Sequence, residues 1–297
     1  METLHFKIAE ACFSLTADER DDVRTLLPSY KPFFLSEPGE DLIFEAEIAN
    51  GAVDAEGEGL ELGCFNSGSA QHGVYRLEDG YKIVISQPGS ETAAAMVTSA
   101  DFSTCTISLF GSPDSRKFGL NNAIMIAFAF AGSYHDILLM HASVVMKDGC
   151  GCLFLGTSGT GKSTHAALWL KCFNDAELLN DDNPVIRVGG GGTVTVYGTP
   201  WSGKTPCYKN DCRPACAFVR LEQAHQNEIK RQAKLQAFGS ILSSCSTMPW
   251  DNASYHAITE TVERVVRAVP VYYLKCLPNE DAALLCHRTV MHRGQSE

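Results

Sequence analysis

The chain has 297 residues, 45% of them hydrophobic and 20% charged, with a formal net charge of -11. That length supports one large domain or two modest ones around a core that needs neither disulfides nor metal, and no biased tract argues for disorder. The acidic balance, with no run of Lys and Arg to offset it, excludes a nucleic-acid backbone as partner.

The N-terminus, Met1-Glu-Thr-Leu-His-Phe-Lys7, lacks the basic start and apolar core of a secretory signal. The most apolar stretch, Ala123 to Ala131, is about half the roughly 20 residues a membrane-spanning helix needs, and reads as a buried helix. A cytoplasmic location and no membrane partner are expected. The 12 cysteines are scattered and read as reduced thiols filling core space. The close pairs Cys150/Cys152 and Cys212/Cys216 have no second pair at zinc-ligand spacing.

In chain order, Asp21 to Tyr30 has helical spacing, with Val23, Leu26 and Leu27 on one side. Asp41 to Ala49 alternates, with Leu42, Phe44, Ala46 and Ile48 on one face of a half-buried strand. Val74 to Leu77 and Tyr81 to Ile85 flank Glu78-Asp79-Gly80, a hairpin signal, and Cys105, Ile107 and Leu109 alternate in a further strand. These predict a small antiparallel β-rich unit over residues 1–115, ending at the turn cluster Gly111 to Ser115.

From residue 116 to 297 the pattern becomes α/β. Ile137 to Met146 and Cys152 to Leu155 are apolar runs joined by a Lys147-Asp148-Gly149 turn, and the second reads as a buried strand. Leu178-Leu179, Val185 to Val188, Val194 to Tyr197 and Val269 to Leu274 read as further strands. Asn279, followed by Glu280 and Asp281, suits the start of a last helix.

Between the strand at Cys152 to Leu155 and a helical run, Ser163 to Leu170, lies Gly156-Thr157-Ser158-Gly159-Thr160-Gly161-Lys162-Ser163-Thr164. The pattern Gly-x4-Gly-Lys-Ser in that context is a phosphate-binding loop. Its glycines let successive backbone N–H groups turn toward one concave point, and the helix N-terminus adds its partial positive charge. Lys162 would reach the β and γ phosphates of a nucleotide, and Ser163 would offer its hydroxyl to the bridging magnesium. Eighteen residues on, the strand Leu178-Leu179-Asn180 ends in Asp181 and Asp182. Behind a phosphate loop, one carboxylate can serve the magnesium and the other can take a proton from an attacking hydroxyl. His141 and Ser143 close the strand run that feeds the loop, so His141 is a candidate neighbour of the phosphates. His165 receives no role. Gly198-Thr-Pro-Trp201-Ser-Gly-Lys204 is a turn-rich loop that either offers an aromatic, hydroxyls and a cation to a substrate or simply connects strands.

His141-Ala-Ser143, the loop Gly156 to Ser163, and Leu-Leu-Asn-Asp181-Asp182, in this order and spacing, resemble the HPr kinase/phosphorylase family within the phosphoenolpyruvate carboxykinase-like P-loop superfamily. The likeness covers roughly residues 135 to 297 and is strongest to residue 203. It implies an α/β fold with a P-loop phosphoenolpyruvate carboxykinase/HPr kinase-like C-terminal domain behind the β-rich N-terminal domain. Carried over by motif, Lys162 and Ser163 bind phosphate and magnesium, Asp181 assists the metal, Asp182 is the catalytic carboxylate, and His141 stands beside those acids. The later glycine-rich signature of HPr kinase is absent, and Gly198 to Lys204 stands in its place, so the implied acceptor is not HPr. The chain is also much shorter than the carboxykinases.

The leading expectation is a kinase using ATP, or another nucleoside triphosphate, and Mg2+ to phosphorylate a hydroxyl on a protein Ser or Thr or on a small molecule. The alternative is a non-catalytic nucleotide-sensing module whose β-rich unit recognises a partner. The resemblance also permits a phosphorylase reaction. Relatives of this kind often form homo-oligomers, although no residue pattern here marks a subunit interface.

Overall fold

The structure, a computed structural model, describes residues 1–18, 21–67, 70–203 and 205–291. The chain is a mixed α/β protein with two large sheets, divided into two compact units: Met1–His135 with Met248–Ser254, and Asp136–Thr247 with the residues from Tyr255 onward.

The first unit contains β1 (Glu2–Ile8), β2 (Ala11–Ala17), the short helix α1 (Val23–Leu26), β3 (Phe34–Leu35), β4 (Leu42–Ile48), β5 (Leu60–Ser67), β6 (Ala70–Leu77), β7 (Gly80–Ser86), β8 (Thr92–Ser99), β9 (Thr104–Leu109) and α2 (Pro113–Ser133). The strands form one nine-stranded sheet in the order β3-β1-β2-β4-β9-β8-β7-β6-β5. It is larger than the small antiparallel unit expected, and it is mixed, because β4 runs parallel to both β2 and β9. The hairpin at Glu78-Asp79-Gly80 forms with Leu77 opposite Gly80. Only glycine fits there, since a Cβ on Gly80 would lie 1.9 Å from the Thr98 carbonyl oxygen. The helical spacing at Asp21 to Tyr30 yields only four α-helical residues, capped by the Asp22 carboxylate. Pro28 then opens a 3-10 turn, Pro28–Phe33, because proline clashes with the preceding turn of an α-helix.

The core of this sheet is aromatic: Phe13 stacks between Phe6 and Phe44 at centroid distances of 4.8 and 4.6 Å, and Phe128 of α2 meets it edge-on at 6.1 Å. α2 starts with Ser112 accepting from the Ser115 N–H and with Pro113 in the first turn, both favourable at a helix start. It then lies across β8, β4 and β9. Compactness groups α2 with the first unit, which extends to His135.

The second unit holds β10 (Ile137–Leu139), β11 (Ala142–Lys147), β12 (Cys150–Leu155), α3 (Lys162–Cys172), β13 (Glu177–Asp182), β14 (Val185–Val188), β15 (Val194–Tyr197), β16 (Cys212–Gln223), β17 (Glu228–Arg231), α4 (Lys234–Leu242), α5 (Asn252–Ala268), β18 (Val271–Cys276) and α6 (Glu280–Met291). The first three residues of α5 belong to the first unit. β13, β11, β12, β16 and β18 are successive neighbours; β11 is antiparallel to β12 and β13, whereas β12, β16 and β18 are parallel. Helices cover both faces. Leu153 and Leu155 share a core cluster with Ile241 of α4 and Val262 and Val265 of α5, while Cys152 and Phe154 share the other with Ala166 and Trp169 of α3 and Cys286 of α6. Alternation along one strand thus feeds both layers. Asn279 caps α6 by accepting from the Ala282 N–H at 3.1 Å. Among the described residues no helix is long and apolar enough to cross a membrane.

Candidate functional site

Strand direction gathers the site. β11 runs against both of its neighbours, so its first residue, Ala142, lies opposite Leu155 at the end of β12 and opposite Asp182 at the end of β13. His141, the loop after β12 and the paired aspartates therefore meet at one end of the sheet. The parallel strands β16 and β18 finish at that end too.

The loop leaves β12 at Gly156 (φ 155°), turns at Gly159 (φ 81°) and enters α3 through Gly161 (φ 107°), a left-handed N-cap without a side-chain hydrogen bond. Thr157 and Thr160 close the loop's outer turn around Ser158, with a Thr160 N–H to Thr157 carbonyl bond of 3.2 Å and their hydroxyls 3.0 Å apart. The first turn of α3 thus starts with N–H groups that no side chain caps, a suitable place for an anion.

Lys162 is buried and folds back over the loop. Its Nζ donates to the Gly156 carbonyl at 2.9 Å and lies 2.7 Å from His141 Nε2. Burial lowers the Lys162 pKa from its ordinary value, against the opposing pull of Asp182 and Asp181. His141 Nδ1 is 3.0 Å from Asp182 Oδ1. A carboxylate on one side and an ammonium on the other require Nδ1 to carry the proton and Nε2 to accept. Asp182, His141 and Lys162 therefore form one chain of polar contacts.

The two aspartates have different surroundings. Asp181 is buried, and its Oδ1 accepts from Ser163 Oγ at 3.0 Å and from the buried Ser143 hydroxyl. Asp182 remains partly open to solvent, at 35% of its side-chain surface. The hydroxyl of Ser163 and the carboxylate of Asp181 are hard oxygens at contact distance, a donor pair that suits Mg2+. Among the described residues no group of three His, Cys, Asp or Glu could hold a metal by itself.

The segment from Gly198 braces these carboxylates from behind. Asn180 Nδ2 donates to Thr199 Oγ1 at 3.0 Å, Thr199 Oγ1 donates to the Asn183 carbonyl at 2.7 Å, and the Gly203 N–H donates to the Asp181 carbonyl at 2.8 Å. Thr199 and Trp201 are fully buried, so this aromatic and this hydroxyl are packing groups and not a substrate platform. Lys204 lies outside the described residues.

Three contributors carried no sequence signal for this role. Ser143 was only part of a motif, Asn180 only a strand residue, and Gln223, at the end of β16, donates from Nε2 to the Gly159 and Thr160 carbonyls at 3.1 and 3.4 Å. Residue 223 lies too far along the chain for any local pattern to connect it with the loop.

No protein-family model matches this chain, and no curated protein sequence matches it. Among solved structures, the Hpr(Ser) kinase/phosphatase from Coxiella burnetii is similar at 12% identity over 52% of this chain and 88% of that chain, with a TM-score of 0.29. A superposition that loose carries no argument about fold or activity.

Proposed function

We propose that the chain is a Mg2+-dependent kinase that moves the γ-phosphoryl group of ATP, or of another nucleoside triphosphate, to a hydroxyl acceptor on a protein or a small molecule. The observation that carries this reading is the meeting of Lys162, Ser163, Asp181, Asp182 and His141 at one end of a single sheet. The N–H groups of the loop and of the first turn of α3 hold the phosphates, and Lys162 exchanges its carbonyl contacts for phosphate oxygens. Ser163 and Asp181 would hold the magnesium, which when bound neutralises charge on the transferring group. Asp182, the more open carboxylate, accepts the proton of the attacking hydroxyl. His141 holds Asp182 in place through its Nδ1–H.

Calorimetric titration with ATP and Mg2+, followed by transfer assays against a panel of hydroxyl acceptors, tests the reading. Wild-type protein binds ATP and Lys162→Ala does not; Asp182→Asn binds normally and loses transfer. A folded wild-type protein that binds no ATP refutes the proposal. Binding with no transfer to any acceptor leaves a nucleotide-sensing module instead.

A further inference from the structure

Sulfur gathers in the second unit at the end of the sheet away from the phosphate loop. β12 opens at Cys150 and closes at Leu155, directly before the loop, so Cys150 stands at the far end of that strand. Its neighbour β16 carries Cys216. Pairing between the two strands runs Gly151 with Ala215 and then Cys152 with Ala217, which leaves Cys216 as an extra residue on β16. Such a bulge re-aims a side chain. Cys216 and Ala217, although adjacent, both pack in the core layer that holds Ala166 of α3 and Cys286 of α6. Alternation turns Cys150 to the same face, because it lies two residues before Cys152 of that layer.

Met291, the last residue of α6, packs against this layer too. Its Sδ lies 4.0 Å from Cys150 Sγ and 3.9 Å from Cys216 Sγ, and the two thiols are in hydrogen-bond contact with each other. All three residues are only partly buried, so an ion can reach them from solvent. Three sulfurs at about 2.3 Å from one ion, the length of a zinc–thiolate bond, stand about 4.0 Å apart in a trigonal site. Both Met291 distances meet that spacing. Zinc takes thiolate, imidazole and carboxylate ligands, whereas two thiolates with a thioether are a soft set that suits Cu(I).

We propose that Cys150, Cys216 and Met291 form a binding site for a soft monovalent cation, Cu(I). On binding, the ion replaces the two S–H protons, which pass to solvent, and no electron moves. The free thiols give up their bonds to the Lys147 and Gly151 carbonyls, at 3.4 and 3.3 Å. The ion then ties the start of β12 and the bulge of β16 to the end of α6. This site stands apart from the phosphate loop, and neither reading depends on the other.

The test loads the reduced full chain with one equivalent of Cu(I) under argon and challenges it with the chelator bathocuproine disulfonate, read by absorbance. Wild-type protein retains the ion, and Cys150→Ser and Cys216→Ser each hold it at least about a hundredfold more weakly. Met291→Leu, which nearly conserves volume, holds it about tenfold more weakly. Cys64→Ser, at an exposed thiol of the first unit, behaves as wild type. X-ray absorption of the loaded wild type, which needs no variant to fold, shows three sulfur neighbours at about 2.3 Å. Nitrogen or oxygen neighbours in place of sulfur overturn the site. So does retention by the wild type no better than by the Cys150→Ser/Cys216→Ser double variant, or an unchanged affinity in Met291→Leu.

Discussion

Burial lowers the pKa of Lys162 although two carboxylates lie nearby, and the sign of that shift has a functional reading. A phosphate site needs the cationic form, and a lowered pKa means that the free protein loses this charge at a lower pH than an ordinary lysine would. ATP affinity is therefore expected to fall with rising pH before the pH at which an ordinary lysine loses its proton. Lys162→Arg, charged throughout, should show a flat profile; equal slopes in both proteins would contradict the role. Burial also pushes His72 and His165 down to about 4. Because both folded values lie below the roughly 6.5 of an unfolded histidine, the unfolded chain binds more protons between the two. Stability is complete above about 6.5 and declines as pH falls toward 4, by up to about 3 kcal/mol for each residue. Urea midpoints at about pH 7 and 5 check this, and His72→Leu should remove its share of the pH dependence.

At the scale of elements, the geometry of the aspartates depends on the segment that follows β15. Gly198 is buried against Lys209, whose carbonyl oxygen would lie 2.1 Å from a Cβ added there. Gly198→Ala must push that backbone aside and should destabilise the protein by about 1 to 3 kcal/mol, read as a lower denaturant midpoint. A displaced Thr199 also loosens Asn180 and the end of β13, so Mg2+-dependent ATP binding should weaken more than the stability loss alone accounts for. The individual strands β4, β7, β9, β12, β14 and β15 were legible in the sequence because each has its own alternation or apolar run between turn residues. β16 was not: its pattern mixes half-buried and buried positions, since its two ends serve different neighbours, β15 at one and β12 with β18 at the other.

Over the whole molecule, the first unit includes Met248–Ser254, more than a hundred residues beyond its other part. Trp250 stacks on Phe65 at 4.6 Å, Arg76 donates to the Trp250 carbonyl at 3.0 Å, and the Tyr81 hydroxyl bonds to Asp251. Trp250→Ala should cost this unit about 2 kcal/mol, whereas ATP at about one hundred times its Kd should stabilise the second unit by about 2.7 kcal/mol. Calorimetric scans distinguish the two: if the units unfold separately, the substitution moves one transition and the ligand the other. A ligand shift confined to the transition that Trp250→Ala moves would place the nucleotide in the wrong unit.

What the sequence determined by itself was local: the glycine spacing that makes an anion cradle, the strand before it, the helix after it, and carboxylates at the end of a strand. Those features depend on backbone freedom, side-chain alternation and residue chemistry within a few positions, so they can be read from neighbours in the chain. The tertiary structure alone decided which ends meet. The antiparallel course of β11 sets His141 beside Asp182 and Lys162, and the parallel course of β16 carries Gln223 back to the loop from sixty-odd residues away. It also gave the two aspartates their unequal exposure and buried Trp201, because both depend on the direction of neighbouring strands, which no short window of sequence contains.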